Sequence, residues 1–150
     1  MITGIARAGI NALIELAGGK QPRGRPVGLL CDSPQVQDAV GRADAILNAG
    51  RVYRSAMIAE LWDIVAAGRN TTLEQRARCR LASTYAADSA REAMDLMYRH
   101  GGSTSFKRES RLAECWRDLH VFGQTVTIAP EWYPIGGRVY LGMDAGPRLR

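Results

Sequence analysis

Four stretches of this chain repeat apolar side chains every three or four residues, and each is closed by glycines or a proline. That 3.6-residue period buries one face of a helix, and no segment of strand length alternates with period two. The first stripe is Ile2, Ile5, Ala6, Gly9, Ile10, Leu13 and Leu16 or Ala17, stopped by Gly18-Gly19. The second starts at Ser33-Pro34, where a hydroxyl can cap free amides and a proline at the first helical position loses no hydrogen bond. It keeps its period from Val36 to Ile64 until Gly68-Arg69-Asn70. Thr71 with Glu74, or Thr72 with Gln75, then offers a capping box to the third, whose apolar side runs from Leu73 and Ala77 to Met94 and Met97 before His100-Gly101-Gly102. The fourth begins near Arg108 and carries Leu112, Cys115, Trp116, Leu119, Phe122, Gly123 and Val126 ahead of Pro130.

The pattern predicts helices over about 2–17, 34–67, 72–100 and 108–128, with a tail over 130–150. The tail holds Trp132, Tyr133, Pro134, Gly136-Gly137 and Tyr140 and reads as too broken for a long element. Residues Lys20 to Asp32, with Pro22, Gly24, Pro26 and Gly28, read as a loop. No capping residue precedes the first stripe, which points to a chain that starts inside a longer element. Long helices on short turns predict an all-α fold, an antiparallel four-helix bundle, and 150 residues fit a single domain.

Charge narrows the function classes. Twenty basic residues against 15 acidic ones leave a formal net charge of +5, which raises the question of nucleic acid. Only Lys20 and Lys107 are lysines, and the arginines are scattered among acids from Arg7 to Arg150 rather than gathered in a run. Solvated helix faces are the better account, so no nucleic-acid partner is expected. Cys31, Cys79 and Cys115 are an odd set with no C-x-x-C spacing, which argues against a disulfide framework or a zinc ribbon. No run reaches the 18 or so apolar residues of a membrane span, and no signal-peptide pattern opens the chain. A soluble, cytoplasmic protein with reduced thiols is expected.

The residues with chemical capacity lie between Tyr98 and His120. Arg117 and His120 are three apart and share a helix face, and imidazole titrates near neutrality. The plainer reading of His120 is a hydrogen-bonded residue beside the apolar stripe. Glu114 sits one turn before Asp118 and repels it mildly, so Asp118 is expected to find a cation elsewhere. Gly101-Gly102-Ser103-Thr104-Ser105 lets backbone amides approach a phosphate or a ring, although a glycine after a helix is first of all a cap. Cys115 and His120 are five apart on different faces, and no H-E-x-x-H, Walker loop, G-x-S-x-G or dinucleotide fingerprint is present. No metal site is expected.

Taken in order, Gly4-Ile5-Ala6-Arg7, Pro22-Arg23-Gly24, Val36-Gln37, Leu73-Glu74-Gln75-Arg76, Tyr98-Arg99-His100-Gly101-Gly102, Arg117-Asp118-Leu119-His120 and Gly137-Arg138-Val139-Tyr140-Leu141-Gly142 resemble one family. It is the C-terminal helical domain of acyl-CoA dehydrogenase-fold flavoenzymes, in particular the branch of phenol hydroxylase-like and dibenzothiophene monooxygenase-like oxygenase components. The resemblance implies a helical bundle at the centre of a homo-oligomer, a dimer or tetramer. Glycines Gly101 and Gly102 would lie near the flavin of a neighbouring subunit, with His120 facing the ring as the catalytic residue and Ser103 and Arg117 beside it. The cofactor implied is FAD or reduced FMN. A catalytic glutamate of the common dehydrogenases would fall at Val126, so the resemblance favours a monooxygenase, in which the histidine helps deprotonate the substrate or hydrogen-bonds the activated flavin. The family's N-terminal helical domain and β-domain have no counterpart in these residues. Alone, the chain is therefore expected to bind flavin weakly or not at all and to be inactive. Those domains, or a flavin reductase, would be partners. A non-catalytic helical scaffold is the alternative.

Overall fold

In a computed structural model, which describes residues 1–22 and 28–149, the chain folds into five helices. They are α1 (Ile2–Gly19), α2 (Pro34–Ala66), α3 (Leu73–His100), α4 (Arg111–Phe122) and α5 (Trp132–Tyr140). Short 3-10 turns occupy Leu30–Asp32, Gly102–Phe106 and Pro147–Leu149, and no strand occurs among the described residues. Arg23 and Gly24 of the Pro22-Arg23-Gly24 segment, with residues 25–27 of the expected loop, lie outside the described residues.

Each helix is built on its apolar stripe. α1 buries Ala6, Gly9, Ile10, Leu13 and Ala17, and these pack with Ala39, Ala43 and Leu47 of α2, Met94 and Met97 of α3, and Leu112, Cys115 and Leu119 of α4. α1 and α3 meet across the bundle, with α2 and α4 flanking them on opposite sides. Small residues let the long pair close up: a Cβ at Gly50 would stand 2.9 Å from the Ser89 side chain and 3.0 Å from the Ala86 backbone. The turn between α2 and α3 bends through Gly68 at φ +68°. Of the two possible capping boxes, Thr72 with Gln75 forms: Gln75 N–H donates to Thr72 Oγ1 at 3.2 Å and Thr72 N–H to Gln75 Oε1 at 2.8 Å. Ser33 precedes α2 as expected, but its hydroxyl donates to Gln35 Oε1 at 2.7 Å and caps no amide.

Three sequence expectations change. α4 is shorter than 108–128 because Ser110 sets its start and Gly123 its end. The β-branched run Thr125-Val126-Thr127-Ile128 follows as turns, a sequence poor in helix propensity, and the Val126 carbonyl accepts the Trp132 indole N–H at 2.8 Å. The tail, read as too broken for a long element, carries the nine-residue α5. Pro134 falls in the first turn of α5, where no intrahelical N–H partner is needed, and Gly136 lets the helix sit on Leu81, whose side chain an added Cβ would meet at 2.7 Å. Trp132, Ala145 and Leu149 then form a second small core on Ala77 of α3. Finally, the α2 stripe is buried through Gly50 and again at Ile64, with exposed positions between them. At about 1.5 Å per residue, 18-residue α1 spans roughly half of 33-residue α2, and Tyr53 and Ala56 are exposed although they continue the stripe. On the outer half of α2, Trp62 is 72% exposed, Val52 69% and Val65 60%.

Candidate functional site

The end of α3 is held from the side by a lysine. Lys20, the C-cap of α1, donates its ammonium to the Gly101 carbonyl at 2.7 Å and to Thr104 Oγ1 at 2.8 Å. A cation here suits the partial negative charge of a helix C-terminus, and Arg99 stands in the same last turn. Gly101 is buried, and a Cβ on it would meet Leu112 Cδ1 at 2.6 Å as well as the Ser105 hydroxyl. Its missing side chain is thus used by inward packing. Gly102 is exposed and takes φ +59°, the left-handed turn that glycine adopts freely. Ser105 is fully buried and donates to the Tyr98 carbonyl at 2.8 Å. Outside this turn an open depression of about 380 Å³ is lined by Lys20, His100, Gly102, Ser103, Thr104 and Lys107 among others.

Six residues back along α3 from Gly101, about 9 Å of rise, lies a second station built around His120. His120 is in the last turn of α4, and its Nδ1 is 2.8 Å from the Trp116 carbonyl. A carbonyl can only accept, so Nδ1 carries the proton and Nε2 is the nitrogen left for exchange. Asp95 Oδ1 of α3 is 3.6 Å from Nε2 and accepts the Trp116 indole N–H at 2.7 Å. The imidazole lies against the Trp116 ring with centroids 4.1 Å apart, Trp116 stacks on Tyr98 at 5.2 Å, and Tyr98 meets Phe106 edge-on at 5.9 Å. Phe106 is 78% exposed. An aromatic row therefore links the two stations, ending in a ring that packs on little of this chain.

Gly101, Gly102 and Ser103 thus share the turn after α3, and His120 stands apart from them with Asp95 and Trp116. Arg117 and Asp118 are exposed, and neither is ion-paired among the described residues, so the cation expected for Asp118 is not there. Arg111, not a distant residue, pairs with Glu114 at 2.6 Å. Val126, where the resemblance would put a glutamate, is exposed in the loop after α4. Burial pushes the Cys115 and Cys79 thiols up, away from reactive thiolates. Among the described residues no cluster of three metal-ligating side chains exists and no helix is long and apolar enough to cross a membrane.

Lys20, Asp95 and the aromatic row were not singled out from sequence. Trp116 and His120 at i, i+4 were a usable signal. Lys20 meets Gly101 across 81 positions and Asp95 meets Trp116 across 21, which local spacing does not reveal.

Comparison with known proteins agrees with the arrangement of helices. The chain is 32% identical over 145 residues to indole-3-acetate monooxygenase of Pseudomonas putida, covering 96% of this chain and 37% of that protein. The crystal structure of 3-HSA hydroxylase from Rhodococcus sp. RHA1 superposes with a TM-score of 0.86 at 22% identity, over 99% of this chain and 38% of the other. XiaF from Streptomyces sp., solved in complex with FADH2 and glycerol, superposes with a TM-score of 0.90 at 18% identity, over 97% and 37%. The chain spans a little over a third of the length of each of these proteins. Residues 1–129 match the model of the acyl-CoA dehydrogenase C-terminal domain, and with its five helices in place the chain belongs to that family.

Proposed function

We propose that this chain works as the C-terminal domain, or the equivalent subunit, of a flavin-dependent monooxygenase, in the cytoplasm. The observation that carries the reading is His120, with Nδ1 committed to the Trp116 carbonyl and Nε2 beside the Asp95 carboxylate. The similarity to indole-3-acetate monooxygenase supports the reaction class. FAD or reduced FMN suits the residues present: the cationic depression at Lys20, Lys107, Ser103 and Thr104 accommodates an anionic group, and exposed Gly102, with no side chain, leaves its approach open, while Gly101 shapes the turn from inside. When bound, reduced flavin supplies the activation of oxygen. This chain supplies a base: His120 Nε2 takes the proton of a substrate hydroxyl, while Arg117, exposed on the same helix, adds positive charge nearby. Holding only the edge of the flavin site, the chain alone binds flavin weakly or not at all and does not turn over.

The same chain contributes to assembly. The apolar outer half of α2, with Val52, Trp62 and Val65, is the kind of patch that symmetric oligomers cover, and a homo-oligomer, dimer or tetramer, is the state proposed. That face also favours the second reading, a scaffold without catalysis. The two separate in one experiment. In the enzyme assembled with its flavin-carrying domains, His120→Ala is expected to consume reduced flavin and oxygen, release hydrogen peroxide and lose hydroxylation by about 10²–10⁴-fold. Hydroxylation at the parent rate would leave His120 a packing residue.

A further inference from the structure

We infer that Asp95 is a positioning residue for His120, its carboxylate set beside Nε2 to match and orient the imidazolium that proton exchange there creates; the inference rests on the reading of His120 as the base. Trp116 organises the arrangement from both of its ends. Its carbonyl takes the Nδ1 proton of His120 at 2.8 Å, and its indole N–H holds Asp95 Oδ1 at 2.7 Å. That same carboxylate oxygen is 3.6 Å from Nε2. The imidazole lies between a carbonyl and a carboxylate, and the indole that hydrogen-bonds the carboxylate also lies tilted against the imidazole ring, centroids 4.1 Å apart.

The chemistry of the acceptors sets the direction of transfer. Neutral His120 with its proton on Nδ1 has a lone pair at Nε2, and a carboxylate has no proton to offer it, so the lone pair stays available. When a substrate O–H bond breaks, its electron pair remains on oxygen and the proton forms the new bond at Nε2. The imidazolium then donates Nδ1–H to the Trp116 carbonyl and Nε2–H toward Asp95 Oδ1, and its charge is matched by the carboxylate. Returning that proton to solvent along Asp95, which is 49% exposed at its side chain, restores the starting state. No electron leaves or enters these groups in the cycle. An amide at position 95 reverses the logic, since an N–H of asparagine can donate to the Nε2 lone pair and occupy it.

The test compares Asp95→Asn, Asp95→Glu and His120→Ala in the assembled enzyme, reading coupled hydroxylation and peroxide release together. Asp95→Asn is expected to lower kcat for hydroxylation by roughly tenfold or more, within the range of general-base effects, while KM stays within about twofold of the parent. Asp95→Glu, which keeps the carboxylate, is expected to recover most of that loss, a rescue that a merely structural role would not give. If His120→Ala loses hydroxylation and Asp95→Asn does not, the positioning role fails and the base survives. If His120→Ala hydroxylates at the parent rate, the base and this inference fall together. Equal losses in Asp95→Asn and Asp95→Glu, with unchanged helicity, also overturn the inference.

Discussion

The turn after α3 and the last turn of α4 are both glycine-bounded helix ends, yet their polar groups are satisfied to different degrees. At the first, Lys20 binds the Gly101 carbonyl and Thr104, Ser105 binds the Tyr98 carbonyl, and Gly101 is filled from inside by Leu112. At the second, His120 satisfies one ring nitrogen on the Trp116 carbonyl and leaves the other facing a carboxylate 3.6 Å away. The contrast teaches where chemistry resides. At the glycine turn the polar groups and the missing Gly101 side chain are used within the bundle, whereas His120 Nε2, with its hydrogen-bonding capacity unfilled, is the atom we propose moves a proton.

Stability measurements on the chain sharpen that contrast. Leu119 is fully buried and its neighbour His120 is not, so Leu119→Ala should lose about 2–5 kcal/mol while His120→Ala melts close to the parent; thermal unfolding by circular dichroism reads both. Equal losses would make His120 a core residue. Gly101→Ala forces a Cβ against Leu112 and Ser105, an overpacking expected to destabilise by about 1–3 kcal/mol. If Gly101→Ala is neutral, the glycine is kept for something other than inward packing. Lys20→Met keeps the stem and removes the ammonium from two acceptors, an effect of about 1–2 kcal/mol read by the same thermal unfolding; an unchanged melt would mean that the ammonium does not hold the turn.

The smallest effect belongs to α5. Tyr133 O–H donates to Asp88 Oδ2 at 2.6 Å, and burial first, then that hydrogen bond, push its phenol well above the ordinary range. The unfolded chain loses this proton near the usual phenol pKa of about 10 while the folded chain keeps it. The stabilisation is therefore complete below that pH and declines as pH rises beyond it. Tyr133→Phe should flatten this part of the alkaline unfolding curve; an unaltered slope would mean that the bond to Asp88 does not bias folding.

Local chemistry was the legible part. Period, proline and capping signals located α1, α2 and α3 to within a few residues at their ends, and Thr72-Gln75 even carried its own cap. What could not be read was decided by distant partners. α5 forms across Pro134 and two glycines because Leu81 and Asp88 of α3 receive it, and Val52, Trp62 and Val65 of α2 stay exposed although Ile64 beside them is buried. At the site, His120 and the glycines stood out by residue type, whereas Asp95 and Lys20 acquire meaning only when α3 is laid against α4 and α1.

The ring of His120 offers the most direct test, because the chain has two histidines and their nitrogens are separable. In the chain labelled with nitrogen-15 at histidine, long-range proton–nitrogen spectra should show neutral His120 with its proton on Nδ1, donated to the Trp116 main-chain carbonyl. A ring protonated on Nε2 in the parent chain would mean that the nitrogen assigned to proton exchange is already occupied, contradicting the account.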